Sequence, residues 1–455
     1  MSCLIESIKQ QDTKMQTLAT QLTQETTLAV MVLLAWQLAL LAAQIMLEEV
    51  LNKRGQAATE AQICPKCKQR LESKGLHPRQ LVTLVGKIKW RRRVWRCVNG
   101  CKIGQVVPLD NELGLEISQR TGVHVKRLAC ILAVFVPFGI ATILLETLTG
   151  VSVSPNSIWN WVQQSGKLAQ IQLQEAIEAF TADETIAEAT LPVLWEKLVL
   201  AVGADGVMVP FRPDGGSPKG AVRWREIKVG IVAWLQEKTT TSGRRVMRPV
   251  QRQVVAVLGD IDDLQPRLWW AAVGQGILDA EKVVWLCDGG RGFWRLFTDQ
   301  FKNHAHGVLD FYHASQNIWK GVRSFLDGRT VRARTWFAIM RRRLRNGQAH
   351  IVLADIEEAL QLTGLPSTAH KTLTNLYNYL DKHIDHIDYA HFDQLGLPIG
   401  SGMVESTCKW LIQQRFKGVG MRWGEDGFNH LLHLRLAWVN GSFDDLFAFT
   451  ALPQN

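Results

Sequence analysis

The sequence predicts an α/β protein built on a mixed sheet, with helical regions before it and a helical insertion near its end. Three observations carry that expectation. First, the β-rich runs LVLAVGADGVMVPF, REIKVGIVAWLQE and RQVVAVLGD follow one another, with loops holding Gly215-Gly216 and Gly243 between them, which is the pattern of an antiparallel meander. Second, helix-like and strand-like runs then alternate: DLQPRLWWAAVGQG, KVVWLCDGG, GFWRLFTDQF, HGVLDFYH and SQNIWKGVRSFL. Strand, strand, strand, helix, strand, helix, strand, helix is the order of the ribonuclease-H-like fold, a mixed sheet with helices on both faces. Third, the chain on either side of this block changes character, with a cysteine-bearing segment before it and a helical one after it.

Composition bounds the rest. With 455 residues, 47% of them hydrophobic, the chain can bury real cores and should hold two to four domains, which excludes general disorder. A formal net charge of +10 and a pI near 9.2 favour a polyanionic partner, nucleic acid first and an anionic membrane surface second. Eight cysteines without a signal-peptide pattern are expected in a reducing, cytoplasmic setting, where clustered cysteines bind metal more often than they pair.

Taken in order, residues 1–60 read as an N-terminal helical region. Its apolar stretch LAVMVLLAWQLALLAAQIML is long enough on paper to cross the ~30 Å hydrocarbon layer, but Gln37 and Gln44 interrupt it. The expectation is a helix with a buried face, and a seam for dimerisation. Residues 61–112 read as a zinc-ribbon-like module: CPKC and CVNGC bring Cys64, Cys67, Cys97 and Cys101 to two turns, as a tetrahedral thiolate Zn2+ site needs. Between the turns lies KIKWRRRVWR, a basic strand in which Lys87, Lys89, Arg91, Arg92 and Arg93, interleaved with Trp90 and Trp95, suit phosphate contacts.

Residues 113–190 form a helical region in which FGIATILLETLTG, VSVSPNS and IWNWVQQSGKLAQ have the outline of a helix-turn-helix for DNA. Residues 191–326 hold the sheet core, residues 327–395 a helical insertion with the cluster Arg341, Arg342, Arg343 and Arg345, and residues 396–455 a helix-rich return to the core.

Three acids stand out. Asp205 lies inside a run that otherwise reads as a buried strand, where a charge is costly unless paired or metal-bound. Asp288 ends another apolar strand, the edge at which open α/β sheets place ligands. Glu405, in GLPIGSGMVESTCKWLIQQRFKGVGMRW, is a lone carboxylate among Lys409, Arg415, Lys417 and Arg422. Three carboxylates at one sheet edge are oxygen ligands for hard cations such as Mg2+. The cations around Glu405 would then bind the DNA backbone. Asp310 in LDFYH competes with Asp288 as the second acid, since it also follows a strand. Asp288 is preferred because it ends the fourth strand of the series, which leaves Asp310 and His313 as supporting residues. The remaining histidines, His304, His306 and the group His383, His386 and His391, are expected at the surface or at helix caps.

On VVPLDNELGL, FVPFGIATILLETLTGVSVS, GADGVMVPF with WREIKVG, CDGGRGFW, LDFYHASQNIW and above all GSGMVESTCKWLIQQRFKGVGMRW, the chain resembles the bacterial insertion-sequence DDE transposases of the ISKra type, within the Mutator-like set. The resemblance spans most of the length. It implies a DDE site of Asp205, Asp288 and Glu405, Mg2+ (or Mn2+) as cofactor and structural Zn2+. It also implies double-stranded DNA as substrate (the element's terminal inverted repeats and target DNA), and a homodimer or higher homo-oligomer in the bacterial cytoplasm, associated with the nucleoid. Metal-activated water would cut the phosphodiester at the element's end, and the freed 3′-hydroxyl would attack target DNA. The alternative is a catalytically inactive, zinc-containing DNA-binding protein derived from a transposase; the retention of all three acids argues against it.

Overall fold

The structure is a computed structural model that describes residues 13–57, 62–182, 191–213, 220–243 and 245–447. The chain divides into two compact units, Met1–Val162 with Phe447–Asn455, and Gln163–Leu446.

The first unit opens with helices α1 (Thr13–Gln24) and α2 (Leu28–Gln56), followed by an antiparallel hairpin of β1 (Glu72–Thr83) and β2 (Gly86–Arg96). Strand β2 alternates strictly at first: Lys87, Lys89 and Arg91 are exposed, while Ile88, Trp90, Arg92 and Val94 are buried. Ile88 and Trp90 pack with Leu51, Leu81 and Leu109 in one small core.

The outer edge of β2 is covered by a helix. Gln44 Nε2 donates to Lys87 O at 2.8 Å, Lys89 N–H donates to Glu48 Oε1 at 2.7 Å, and Arg91 N–H donates to Asn52 Oδ1 at 2.8 Å. Four residues of helix rise ~6 Å and two residues of strand ~6.7 Å, so side chains at i, i+4 and i+8 meet backbone groups at j, j+2 and j+4. Amide groups that an edge strand leaves open for another chain are thereby satisfied. Gly55 permits the close approach: a Cβ there would lie 2.0 Å from Arg91 O. Gln44, which interrupts the apolar run in the sequence, is therefore the first rung of this ladder.

The rest of α2 departs from expectation. Only Leu51 and Gly55 are buried, and Leu28, Val32, Leu33 and Trp36 are exposed. Among the described residues α2 is the one helix long and apolar enough, by length and composition, to cross a membrane.

Helices α3 (Pro108–Glu112), α4 (Val123–Phe135), α5 (Phe138–Thr149) and α6 (Pro155–Thr181) follow, α6 belonging to the second unit from Gln163 onward. Helix α5 stops at Gly150, whose φ of 71° suits a residue without Cβ. Ser154 then accepts the Ser157 N–H at 3.1 Å to start α6, and Phe138 meets Trp159 edge-on at 5.3 Å. A tight turn and one aromatic contact thus fix the helix pair.

The second unit is built on a five-stranded mixed sheet in the order β5-β4-β3-β6-β7. Strands β3 (Val199–Phe211), β4 (Arg223–Thr239) and β5 (Arg245–Val257) are antiparallel neighbours; β6 (Val283–Cys287) runs parallel to β3, and β7 (His306–Leu309) parallel to β6. Helix α7 (Ile261–Gly274) joins β5 to β6, and α8 (Arg291–Leu296), extended by a π-helical turn, joins β6 to β7. Every residue of β6 is buried, as an interior parallel strand requires. After β7 come α9 (Phe311–Phe325), then α10 (Val331–Arg345), α11 (Ala349–Leu360), α12 (Ser367–Lys382) and α13 (Tyr389–Gln394). Helix α14 (Gly402–Thr407) continues through a π-helical stretch, Cys408–Gln413, and α15 (Glu425–Asn440) ends the unit.

Candidate functional sites: a four-cysteine centre and a carboxylate edge

The cysteine centre is formed by two turns. Cys64 N–H donates to Gln69 O at 2.8 Å and Lys68 N–H to Cys64 O at 2.9 Å, with Lys68 at a φ of 58°, so the chain curls tightly around Cys64 and Cys67. Cys97 follows directly on β2, and Gly100, at a φ of 66°, turns the chain back to Cys101. The four sulfurs all lie within 4.8 Å of one another, and Cys67 Sγ and Cys97 Sγ are 3.5 Å apart. A tetrahedron of ~2.3 Å metal–sulfur bonds has edges of about 3.8 Å, so the donor set fits Zn2+. The thiols of Cys67 and Cys97 push the Cys101 thiol up to about 12, a cost that a bound cation reverses.

On the neighbouring basic strand the structure corrects one residue. Arg92 is buried: its Nε approaches Asp110 Oδ2 at 3.4 Å and its Nη1 donates to His77 O and Pro78 O at 3.2 Å. Asp110 also faces Arg79, which makes a buried trio of one acid and two cations. The reason is the period of two, which turns Arg92 inward with Trp90; Trp90 too is buried and offers no stacking face. Lys87, Lys89 and Arg91 remain exposed, and Arg93 is half-buried.

In the second unit the strand registers bring the acids to one level. The parallel pairing of β3 with β6 runs from Leu200↔Val283 to Gly203↔Leu286, and continued two residues it sets Asp205 opposite Asp288. The pairing of β6 with β7 ends at Cys287↔Leu309, and its next step sets Asp288 opposite Asp310. Asp205 is half-buried. Burial raises its pKa, and the charges of Asp288 and Glu226 add to the rise, while the Gly206 N–H (2.7 Å) and the His313 imidazole oppose it. Asp288 accepts the Gly290 N–H at 2.9 Å, and its backbone carbonyl accepts Trp294 Nε1–H at 2.8 Å, which holds the turn after β6.

Helix α14 lies across β3 at Gly203, where a Cβ would stand 2.5 Å from Val404 Cγ2 and 2.7 Å from Leu286 O. Glu405 is in its first turn and exposed, with Oε1 2.7 Å from Lys409 Nζ. The buried Cys408 thiol, just after α14, is pushed up by burial and by Asp205, so this helix and the middle of β3 share one electrostatic environment. Among the described residues only the four cysteines gather within 4.8 Å; the three acids are more open than a closed metal cage.

Asp310 is engaged on both oxygens. Oδ1 accepts the His313 N–H at 2.7 Å as the cap of α9, and Oδ2 accepts the Ser401 N–H and the Ser401 hydroxyl, the latter at 2.6 Å. Phe311 N–H donates to Ile399 O at 2.9 Å alongside. Asp310 thus fastens the segment that leads into α14 and carries Glu405, and its buried carboxylate has less freedom than that of Asp288.

A cleft of about 1340 Å³ opens here, with Asp310, Tyr312, His313, Glu405 and residues of α10 in its lining. Typical small-molecule pockets hold ~300–1,000 Å³. Asp205 and Asp288 lie outside its lining and adjoin it through His313 and α14.

The cations near Glu405 divide. Lys409 and Lys417 are exposed, Lys417 over the Trp224 ring at 5.8 Å, and Arg422 is exposed while donating to Gly220 O at 3.0 Å. Arg415 is 1% exposed and corrects the expectation that it meets DNA: it sits 5.5 Å over the Trp423 ring, and desolvation lowers its pKa to about 10. Sequence reasoning missed Arg435, equally buried, which donates to Leu411 O at 2.9 Å and Trp410 O at 2.6 Å and so braces the π-helical stretch after α14. A lone arginine in the apolar run HLLHLRLAW was the available signal.

The histidines also divide. His304 and His306 are exposed as expected. His383 is buried but caps the C-terminus of α12, as the expectation allowed, with its Nδ1 2.7 Å from Tyr379 O, whereas His386 is half-buried and stacks on Trp294 at 4.2 Å.

No family model matches the chain. A protein of Streptococcus gallolyticus named "UPF0236 protein in vanSb 3'region" is 24% identical over 380 residues, which cover 81% of this chain and 74% of that protein. Among solved structures, the Drosophila P element transposase strand transfer complex is similar over 74% of this chain and 82% of that chain, with 12% sequence identity and a TM-score of 0.26.

Proposed function

We propose that this protein is a DDE transposase with a ribonuclease-H-like core, which binds the inverted-repeat ends of an insertion sequence and performs metal-dependent strand cleavage and strand transfer. One observation carries the reading: Asp205 within β3 and Asp288 just past the end of the parallel neighbour β6 fall at one level of the sheet, and Glu405 rides on a helix laid across Gly203 of β3. All three donors are hard oxygens. Asp205 also carries a burial cost that a cation would relieve, and the donor chemistry therefore fits Mg2+ or Mn2+.

Bound there, the metal would neutralise charge on the phosphodiester and activate water. The chain's own residues supply the rest. Asp310 fixes the Ser401 segment that leads into the helix carrying Glu405, and His313 offsets the carboxylate charge at Asp205. Lys409, Lys417 and Arg422, with Lys87, Lys89 and Arg91 of the first unit, are cations of the kind that hold phosphates. Cys64, Cys67, Cys97 and Cys101 would hold structural Zn2+. The assembly would be a homodimer or larger, since two element ends must be processed together.

The test is single-turnover cleavage of a labelled duplex carrying the element's own end, with Mg2+, for wild type and for Asp205→Ala, Asp288→Ala, Asp310→Ala and Glu405→Ala, with end binding followed in parallel. Loss of cleavage with binding retained for Asp205, Asp288 and Glu405 is the expected result. A wild type that binds the end and never nicks it makes the chain a DNA-binding relic.

A further inference from the structure

Helix α10 belongs to the helical insertion, and its sequence VRARTWFAIMRRRLR carries more cations than packing needs. Ala333, Met340 and Leu344 are its buried side. Arg343 is spent on an ion pair with Asp355. The other face lines the cleft with Phe337, Arg341 and Arg345 at intervals of four, and Arg342 beside them. These three arginines are not neutralised alike. Arg345 pairs with Asp393 at 3.0 Å, yet its Nη1 is buried with no hydrogen-bond partner among the described residues. The Arg341 guanidinium sits 5.2 Å over the Phe311 ring, a contact that holds it in place, and it makes no ion pair among the described residues. Arg342 is exposed and makes no ion pair or hydrogen bond among the described residues.

In the same lining, Tyr312 is 49% exposed, and its ring packs so closely on Gly400 that a Cβ there would lie 2.8 Å from Tyr312 Cε2. A cleft that combines arginines, a fixed aromatic face and carboxylates in one lining has the chemistry that grips a nucleic-acid strand, with phosphates on arginine and a base on the ring.

We infer that α10 contributes to the DNA-binding site, with Arg341 and Arg342 holding the sugar–phosphate backbone in the cleft that Glu405 also lines and Tyr312 stacking a base in the same cleft. The inference rests on the transposase reading and adds a role for the insertion, whose arginines had none. Bidentate guanidinium binding explains why these residues are arginine: a planar fork matches a phosphate and survives beside the Phe311 ring.

The experiment is a fluorescence-anisotropy titration of the full-length protein against a labelled element-end duplex at stepped NaCl without added Mg2+. The variants are R341A/R342A, R341K/R342K and Tyr312→Ala, each with its melting temperature. The double alanine variant is expected to lower the slope of log K against log salt by about 2, since each lost phosphate contact removes about 0.9. The lysine pair keeps the slope and loses part of the affinity. Tyr312→Ala weakens binding roughly tenfold with the slope unchanged. A double alanine variant with wild-type slope and affinity overturns the inference while leaving the transposase reading intact. A wild type that binds no duplex at all overturns both. Because Arg341 and Arg342 lie outside the buried side of α10, their melting temperatures should match wild type; if the alanine pair unfolds early, the lysine pair and R342A give the same decision.

Discussion

The two candidate metal sites are built on opposite plans. In the cysteine centre the four sulfurs already stand within 4.8 Å, drawn together by backbone turns that the chain makes at Lys68 and Gly100. At the carboxylate edge the acids share a level and an electrostatic field, but Glu405 is turned to Lys409. The first arrangement suits an ion that stays; the second suits ions that arrive with substrate, because an open set of charged oxygens can reorganise around a phosphodiester. On the proposed function, the difference assigns zinc to the fold of the first unit and magnesium to chemistry in the second.

The largest expected effect comes from breaking the closed site. Stripping zinc from the full-length protein, or Cys64→Ser with Cys97→Ser, removes a binding free energy on the order of 10–16 kcal/mol for such centres, so the hairpin region should lose its structure while the five-stranded sheet persists. Metal analysis combined with limited proteolysis checks this. Rapid cleavage confined to residues 57–107 is the expected pattern, and an unchanged digest without bound zinc would mean that the small core around Trp90 and the α2 ladder hold the hairpin alone.

Next in size are the acids. Alanine at Asp205, Asp288 or Glu405 should cost roughly a thousandfold or more in single-turnover cleavage, which is about 4 kcal/mol of lost charge stabilisation. Asp310→Ala should behave differently: it strips a helix cap and leaves the Ser401 donors unpaired, so melting temperature falls together with activity. If Asp310→Ala abolishes cleavage at unchanged stability while Asp288→Ala is nearly silent, the order of the two aspartates is reversed.

Close packing links the open site to its sheet. Gly203→Ala forces a methyl between Val404 and Leu286 O, and overpacking of this kind costs about 1–3 kcal/mol. Because the clash is with the helix that carries Glu405, turnover should drop more than stability predicts, which a paired melting and cleavage measurement resolves. Gly55→Ala makes the corresponding clash in the first unit and should lower stability with no separate effect on the chemistry.

How far the sequence could be read follows from the kind of signal each feature leaves. Strand order, the cysteine turns, Asp205 inside its strand and Asp288 after its strand were legible because periodicity and strand ends are local. Arg92 and Arg415 were misread for one shared reason: charge suggests solvent, and only the register of β2 or the packing of Trp423 reveals that a particular cation faces inward. Gln44 was legible as an interruption and illegible as a ladder rung, since its partner lies 43 residues away. The double duty of Asp310 was hidden likewise, because Ser401 is 91 residues downstream.

A smaller, pH-dependent effect separates the sites again. The folded-state pKa of Asp205 is raised, so the native protein is favoured while this group is protonated, and that advantage is fully present below the ordinary carboxylate value of about 3.9. It is lost as pH rises through the raised value. Asp205→Asn removes the penalty, so without Mg2+ its melting temperature should exceed that of wild type at neutral pH, with the gap closing as pH falls. Adding Mg2+ should then raise wild type alone. Equal pH profiles for the two proteins would mean that the surroundings of Asp205 already neutralise it.

The smallest effect tests whether Glu405 is held away from its role. The Glu405–Lys409 pair is solvent-exposed on both sides, with side-chain exposures of 57% and 58%, and such pairs contribute about 0–1 kcal/mol. Lys409→Met should therefore leave stability almost unchanged while freeing the carboxylate. The Mg2+ concentration for half-maximal cleavage should fall by up to about fivefold, the factor that 1 kcal/mol represents. Lys409 is also a candidate phosphate contact, and losing it weakens DNA binding. The two roles separate because only the phosphate contact changes the salt dependence of binding without metal, and only the restraint changes the metal requirement at saturating DNA. A Mg2+ requirement identical to wild type at saturating DNA would mean that Glu405 moves to the metal at no measurable cost, and that the openness of the site comes from the distance between the strands and α14 alone.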